Sequence, residues 1–449
     1  MTPSTPTPPS TPDAPPPPGT TGRRKPALLF IFFTVVLEVL GFGLLIPVAP
    51  SLVQGLLTFA PGTPPAEQAA QATWWFGMLL STYYAMMFLF APFMGALSDI
   101  VGRRPVILIS LLGSGVDYFV QAFAPTLWVL FLARGFNGLT GASFTVCQAY
   151  VADVTEPSKR AGAFGLIGAA FGIGFVLGPL MGGYLGDPKN VIPLLGPGNV
   201  HYPFIAAGVL TIINWCYGLI VLPESLPRER RAKSIDWRKA NPIGMLPRLA
   251  SYPLVLNLAL ALLLLNLAMF GLHSTWAKYT ELRYGWDPQA IGLSLFAVGL
   301  GAAIVQGGLT RRIVPALGEP RSFLLGVLVG ALAYVGYALS TAGWMIYATV
   351  AVASIGGLAQ PAGQSIITRT VRVDEQGAVQ GALTSLTSLA GIVGPLIATN
   401  AFHAFNGPQA WQPLGLSLPG GHFLIAAALA TGGLLLAWRA LARYWKPQS

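Results

Sequence analysis

Three formal charges lie deep inside apolar runs of this chain: Glu38, Asp117 and Arg134. In hydrocarbon each costs several kcal/mol unless it is paired or wetted, so each is a functional candidate by default. A carboxylate can take up and release a proton, whereas a guanidinium stays charged and can only neutralise a partner. Two acids and one arginine therefore suit the carriage of a proton: Arg134 is expected to neutralise one carboxylate while the other cycles. A purely structural ion pair is the competing reading. Asn137 follows Arg134 on the same run, and Gln306, Gln360 and Gln364 occupy apolar runs further on. These amides are expected to line a substrate cavity; interhelical hydrogen bonds, worth about 0.6 kcal/mol on average, are the alternative. The histidines His201, His273, His403 and His422 fall near outer loops or run ends and read as interfacial. Cys147 and Cys216 sit in apolar runs and read as buried structural thiols, with neither a disulfide framework nor a metal site implied. Converging sets of catalytic groups are not visible, so an enzyme is not expected. A Gly-x4-Gly-Lys-Ser/Thr loop is missing as well, so ATP is not the direct energy source.

The elements that hold these charges are membrane helices. Hydrophobic residues are 53% of the 449 and charged ones 9%, too few charges to cover a soluble surface. Lipid must be the solvent. Ten-residue segments of alternating polarity, the mark of a membrane β-barrel, do not occur. Apolar runs fall at 27–51, 73–98, 105–124, 127–152, 161–185 and 202–222, then at 252–276, 289–310, 322–340, 343–368, 378–402 and 421–442. Each is long enough to cross a bilayer as a helix. The expected fold is all-α: twelve transmembrane helices in two pseudo-symmetric six-helix bundles, 27–222 and 252–443, joined by a cytoplasmic linker, 223–251. Residues 1–26 form a Pro-rich cytoplasmic tail that buries too little apolar surface to fold, and 444–449 form a second tail. Arg23-Arg24-Lys25 before the first run resembles a signal-peptide start, but the run is long and lacks a small-residue cleavage site, so it reads as an uncleaved span.

Charge placement orients the chain. With both termini in the cytoplasm, 22 Lys and Arg lie on that side, while Lys189, Lys278 and Arg283 lie opposite. This bias orients a multi-pass protein of the cytoplasmic (inner) cell membrane. It also accounts for the net charge of +10: basic residues scattered over short loops are not a nucleic-acid-binding module. The expected partners are the lipid bilayer and a small-molecule substrate, with no nucleic acid, and the chain is expected to act as a monomer.

Two motifs stand out. After the second span comes Gly95-Ala-Leu-Ser-Asp99-Ile-Val-Gly102-Arg103-Arg104-Pro105. Gly102 supplies the freedom a tight interhelical turn needs, and Gly95 is expected to let another helix approach. Asp99 and Arg103 can pair with each other or with Asp153 at the cytoplasmic end of the fourth span. The fifth span carries Gly165, Gly174, Gly178-Pro179 and Gly182-Gly183, a density of helix breakers that permits close packing and a bend. Echoes recur six spans later. Gly391-Ile-Val-Gly394-Pro395 lies in the eleventh span, and a degraded loop runs from Gly308 to Arg321 after the eighth.

The loop spacing is similar to the conserved cytoplasmic loop of the major facilitator superfamily, and the Gly-Pro spacing to the motif of its antiporters. From about Phe30 to Tyr444 the chain resembles the tetracycline/proton antiporters and their drug-efflux relatives. Glu38 to Pro47, Asp117-Tyr118, Arg134 to Gly141 and Gln376 to Thr387 strengthen the likeness. The resemblance implies proton-coupled efflux of a small amphipathic compound, tetracycline or another drug, by alternating access. Protons are then the coupling ion and no cofactor is involved. It makes Glu38 the counterpart of a first-span aspartate, Asp117 of a cavity aspartate and Arg134 of the intramembrane arginine. Gln306 answers to a cavity glutamine, and Asp99 to the gating aspartate. Two positions depart: the family's eighth-span histidine falls at Ala302 and its ninth-span aspartate at Gly330. Neither residue can titrate or bind a metal-chelated drug, which concentrates the proton chemistry on the N-terminal half. An importer or symporter would share the fold.

Overall fold

In the computed structural model, residues 24–444 are described, except 142, 156–159, 235–240, 242–243, 245, 373–374, 408–409 and 412–417. Both expected tails fall almost wholly outside the described residues. The first span is α1 (Arg24–Leu45) continued by α2 (Ala49–Gly55); α3 (Pro65–Val101) and α4 (Arg103–Ala122) follow. The fourth span is divided into α5 (Leu127–Thr140) and α6 (Ser143–Val154); α7 (Arg160–Gly186) and α8 (Tyr202–Val221) complete the half. A short hairpin on the outer side, β1 (Val191–Ile192) with β2 (Gly196–Pro197), joins α7 to α8.

The second half begins with α9 (Pro253–Tyr284). Its eighth span is α10 (Pro288–Ile304), a π-helical turn over Val305–Leu309 and α11 (Thr310–Leu317). Then come α12 (Glu319–Leu339), α13 (Gly343–Ala353), a 3-10 turn at Ser354–Leu358, α14 (Ala359–Thr370), α15 (Gln376–Asn406) and α16 (His422–Tyr444). Among the described residues, eleven helices are long and apolar enough to cross a membrane; the divided fourth span is the twelfth crossing. Backbone donors and acceptors satisfied within each helix are what let a chain traverse lipid at all.

Glycine sets the helix packing. In α7, Gly174, Gly178 and Gly182 recur every four residues and so share one face. A side chain at Gly174 would meet the carbonyl of Val36 at 2.6 Å, and one at Gly178 the carbonyl of Leu40 at 2.7 Å. Gly182 presses on Leu44 in the same way. The next face of α7, Pro179 and Gly183, lies on Gly292 of α10 in the other half. Gly165 lies outside the residues whose packing is described. The second half repeats the arrangement: a side chain at Gly394 of α15 would meet the carbonyl of Leu267 in α9 at 2.7 Å, and one at Gly391 the ring of Tyr84 in α3. Fifth span on first and eighth, eleventh on seventh and second, is the pseudo-twofold anticipated from the repeat.

Three expectations fail. Cys147 is buried as expected, but Cys216 on α8 is exposed. Gly95 faces open space, not a neighbouring helix, because the halves are parted at that end of α3. The seventh span does not end near 276: α9 continues to Tyr284. Lys278 of its polar outer end is buried at the boundary with the other half, where it donates to Ser51, while Glu281 is exposed. Lys278 is accordingly inside the helix and 1% exposed, and His273 is well inside the span, not at its end.

Candidate functional site

Asp117 and Gln121 are one turn apart on α4 and therefore share a face. On α5, Arg134 and Asn137 are three residues apart and project toward them. Small residues bring the helices together: a side chain at Gly113 of α4 would strike Thr140 of α5 at 2.6 Å. Asp117 is 1% exposed. Its Oδ2 accepts a hydrogen bond from Gln121 Nε2 at 2.7 Å and another from Asn137 Nδ2. Arg134 reaches it mainly through the glutamine. Its Nε and Nη2 donate to Gln121 Oε1 at 3.0 and 2.7 Å, while its Nη1 stands 4.0 Å from Asp117 Oδ2. The guanidinium also lies 5.8 Å above the ring of Tyr83, within cation–π range.

Asp117 Oδ1 accepts no hydrogen bond among the described residues. The carboxylate is thus held through one oxygen and bare at the other, which is where a proton can attach without displacing a partner. Gln121 is the residue that the sequence gives no reason to single out; only its one-turn offset from Asp117 could have found it. Asn137 serves this carboxylate. Glu38 stands on α1, near enough to Tyr83 and Tyr118 for its charge to act on both.

The C-terminal glutamines do not join this network. Gln306 is exposed on the π-helical turn of the eighth span, with its Nε2 facing Gly357 of the tenth. Gln360 is exposed and Gln364 half-buried on α14. At Gly330 an added side chain would meet nothing within 4 Å.

At the cytoplasmic end, Gly102 turns the chain at φ 107°. Arg103 pairs with Asp99 at 2.6 Å and with Asp153 at 3.2 Å. Arg104 donates to the Leu219 carbonyl at 2.7 Å. The hub is Glu224, whose carboxylate accepts from the backbone N–H groups of Arg103 and Arg104, at 2.8 and 3.3 Å, and caps α4. In the other half Glu319 at the start of α12 pairs with Arg369 of α14 at 3.2 Å and accepts from Ser365 at 2.6 Å. Among the described residues, both clusters stay within their own half.

Contacts between halves lie further out. Ser81 donates to the Ile392 carbonyl at 2.7 Å, and Tyr84 packs on Phe270 at 4.9 Å. Lys278 donates to Ser51 at 3.1 Å while paired with Glu281 at 2.7 Å, and Lys189 pairs with Asp287 at 2.7 Å. The apolar cores agree. On the cytoplasmic side each half has its own cluster, whereas the outer cluster of the C-terminal half takes in Ile46 and Ala70 of the other. The molecule is shut at the end that carries the β1–β2 hairpin and parted at the end that carries Gly102 and Glu319.

A family model described as Major Facilitator Superfamily matches residues 31–395. The chain is 38% identical over 378 residues to the tetracycline resistance protein, class C, of Escherichia coli, covering 84% of this chain and 90% of that one. It is 36% identical over 396 residues to the class G protein of Vibrio anguillarum, covering 86% and 93%. Among solved structures, a bacterial homolog to the human lysosomal transporter Spinster, inward-facing and unoccupied, superposes with a TM-score of 0.73 at 17% identity, covering 96% of this chain and 100% of that one. The human organic anion transporter MFSD10 (TETRAN) gives 0.67 at 24% identity, covering 94% and 100%. At such identities these two likenesses speak to the fold.

Proposed function

Because this chain belongs to the major facilitator superfamily, we propose that it exports a small amphipathic drug in exchange for protons, by rocking its two halves about the Asp117 network. The observation that carries this reading is the buried carboxylate itself: held by Gln121, Asn137 and Arg134 through Oδ2 and bare at Oδ1. A group so placed, between a closed outer face and an open inner one, can meet each side in turn. The export direction rests on the resistance proteins to which the chain is similar and on the Gly-Pro packing of α7. A membrane potential supplies about 2.3 kcal/mol per charge per 100 mV for the return of protons.

In this reading the chain lies in the cytoplasmic membrane with both termini inside and works as a monomer, since the network and both gates lie within one chain. It acts as a carrier and not as an enzyme, and no nucleic acid takes part. Tetracycline is the first compound to test. Ala302 and Gly330 leave the C-terminal half without the titratable pair that the resemblance associates with a chelated drug, so an amphipathic cation such as ethidium is the second. The Gln306, Gln360 and Gln364 face is where either would be read by hydrogen bonds. The test is uptake of both probes into inverted vesicles with an acidic lumen, for wild type, Glu38→Gln and Asp117→Asn. Gradient-driven uptake of one probe, lost in Asp117→Asn, is expected. Uptake of neither probe, or uptake indifferent to the gradient, overturns the proposal.

A further inference from the structure

The seventh span supplies a titratable group that the proton exchange described above does not use. His273 lies eleven residues inside the outer end of α9 at Tyr284, roughly 16 Å along the helix at 1.5 Å per residue. Its ring packs 5.8 Å from that of Phe175 on α7, across the boundary between the halves. Its Nδ1 is buried and has no hydrogen-bond partner among the described residues. His273 also lines a cavity whose other polar walls are Gln121 and Arg134, and whose apolar walls include Phe42, Phe76 and Leu130. The space, about 40 Å³, is far too small for a drug but has room for a few waters. A water-sized chamber thus connects an unpartnered imidazole of one half with two of the three residues that hold Asp117 in the other.

We propose that His273 is a second protonation site of the transport cycle, taking a proton from the outer side and passing it across the chamber to Asp117. The inference rests on the proton-exchange reading and adds a component to it. Opening the outer face must separate α7 from α9, lifting Phe175 off the imidazole. A wetted imidazole changes charge near pH 6.5, the range in which an outer medium varies. When the face closes again, an imidazolium would be enclosed with no acceptor for Nδ1–H and would look onto the Arg134 guanidinium. Phe175 brings no charge from α7, and Lys278, five residues further out on α9, is engaged by Ser51 and Glu281. From the first span, Glu38 is the one acid of that helix and acts around Tyr83 and Tyr118. The proton therefore moves inward. The Nδ1–H bond breaks and a chamber water accepts that proton. Gln121 and Arg134 separate Asp117 from the chamber, so a second water admitted between them takes up the proton in exchange for one of its own, which forms the O–H bond at Oδ1 of Asp117. Closure then encloses a neutral imidazole and a neutral carboxyl.

The test uses the full-length protein in proteoliposomes, with tetracycline or ethidium as the probe, whichever the wild type moves. Two rates are compared: exchange driven by acid on the outer-face side, and probe–probe counterflow at equal pH, which needs no net proton transfer. His273→Ala is expected to lower driven exchange roughly a hundredfold, the lower end of what a positioned proton-transfer group contributes, and to lower counterflow far less. Imidazole added on the outer-face side is expected to restore driven exchange, increasingly as that side is acidified through about pH 6.5. His273→Phe, which keeps a ring against Phe175, is expected to lose driven exchange without rescue. Equal loss of both rates in His273→Ala, loss of neither, or failure of imidazole to rescue overturns the relay. A wild type with no acid-driven exchange at all overturns the proton-exchange reading instead.

Discussion

The two halves of this transporter use the same packing and different chemistry. In each, glycines set one helix against two others: α7 on α1 and α10, α15 on α9 and α3. Yet the intramembrane carboxylates and Arg134 all belong to the N-terminal half, while the matching region of the C-terminal half holds glutamines, Ala302 and Gly330. Even the cytoplasmic clusters are not copies, since their polarity is reversed. The third span brings Arg103 to Asp153 of the fourth, whereas the ninth brings Glu319 to Arg369 of the tenth. The proposed rocking requires both halves to be rigid, and both are closely packed. The proposed exchange requires one proton-binding carboxylate at the centre, and every further buried charge costs several kcal/mol. Symmetry is kept where it is sterically needed and dropped where it would be expensive.

The largest expected effect tests the chemical side of this asymmetry. Asp117→Asn removes the proton-accepting oxygen and is expected to lower gradient-driven transport by about a hundredfold or more. Gln306→Ala and Gln360→Ala, which remove exposed amides, are expected to change the half-saturating probe concentration by about threefold, roughly one hydrogen bond's worth. Equal losses from the two sets, measured in the same vesicles, would erase the division of labour.

The packing side predicts equality where the chemistry predicts difference. Gly182→Leu in α7 and Gly394→Leu in α15 each drive a side chain into the backbone of the helix beneath. Each is expected to cost about 1–3 kcal/mol of stability, read as similar drops in the thermal midpoint of purified protein. A large loss at one position and none at the other would show that the pseudo-twofold is not maintained by these contacts. Next in size are the cytoplasmic clusters. Arg103 is 11% exposed and joins two carboxylates, whereas Arg369 is 59% exposed and joins one. Arg103→Ala is expected to slow transport about tenfold, since it leaves half-buried acids facing each other. Arg369→Ala, at a solvated pair, is expected to slow it about twofold.

Much of this was legible in the sequence because membrane folds are written in long signals. Apolar runs, the bias of 22 basic residues against three, and the Gly-Pro spacing repeated six spans apart all survive errors of a few residues. The site was legible only in part. Asp117 and Arg134 announce themselves as charges in apolar runs, but Gln121, which joins them, and Glu224, which caps α4, carry no such mark. An uncharged amide in a span and an acid in a linker are ordinary residues until the partner helix is known. His273 was misplaced for a different reason. Hydropathy ends the seventh span where Lys278, Glu281 and Arg283 begin, but the helix runs on to Tyr284, with Lys278 buried against Ser51 of the other half and paired with the exposed Glu281. An interface between halves defeats a criterion built on lipid.

The smallest expected effect separates the outer latch from the proposed relay. Asp287 caps the start of α10, accepting from Ala290 N–H at 2.9 Å and from Lys189 at 2.7 Å. Partial burial works against its charge, but the Lys189 and Ala290 hydrogen bonds outweigh that and hold it below its ordinary value of 3.8. Because the closed face depresses this carboxyl, the latch contributes fully above that ordinary value and is lost only as pH falls through the lower one. Acidifying the outer side from pH 7.5 to about 5.5, across the imidazole range, should leave it intact. Spin labels at Tyr184→Cys of α7 and Leu293→Cys of α10, both exposed, would report the gap between halves once Cys147 and Cys216 are replaced. Asp287→Asn is expected to raise the outer-open population by about twofold, by the same factor at both pH values. His273→Ala is expected to remove whatever pH dependence the wild-type distance distribution shows over that interval. If Asp287→Asn removes it instead, outer acidity acts through the latch, and the two halves meet the proton first at their rim and not at the chamber beside Arg134.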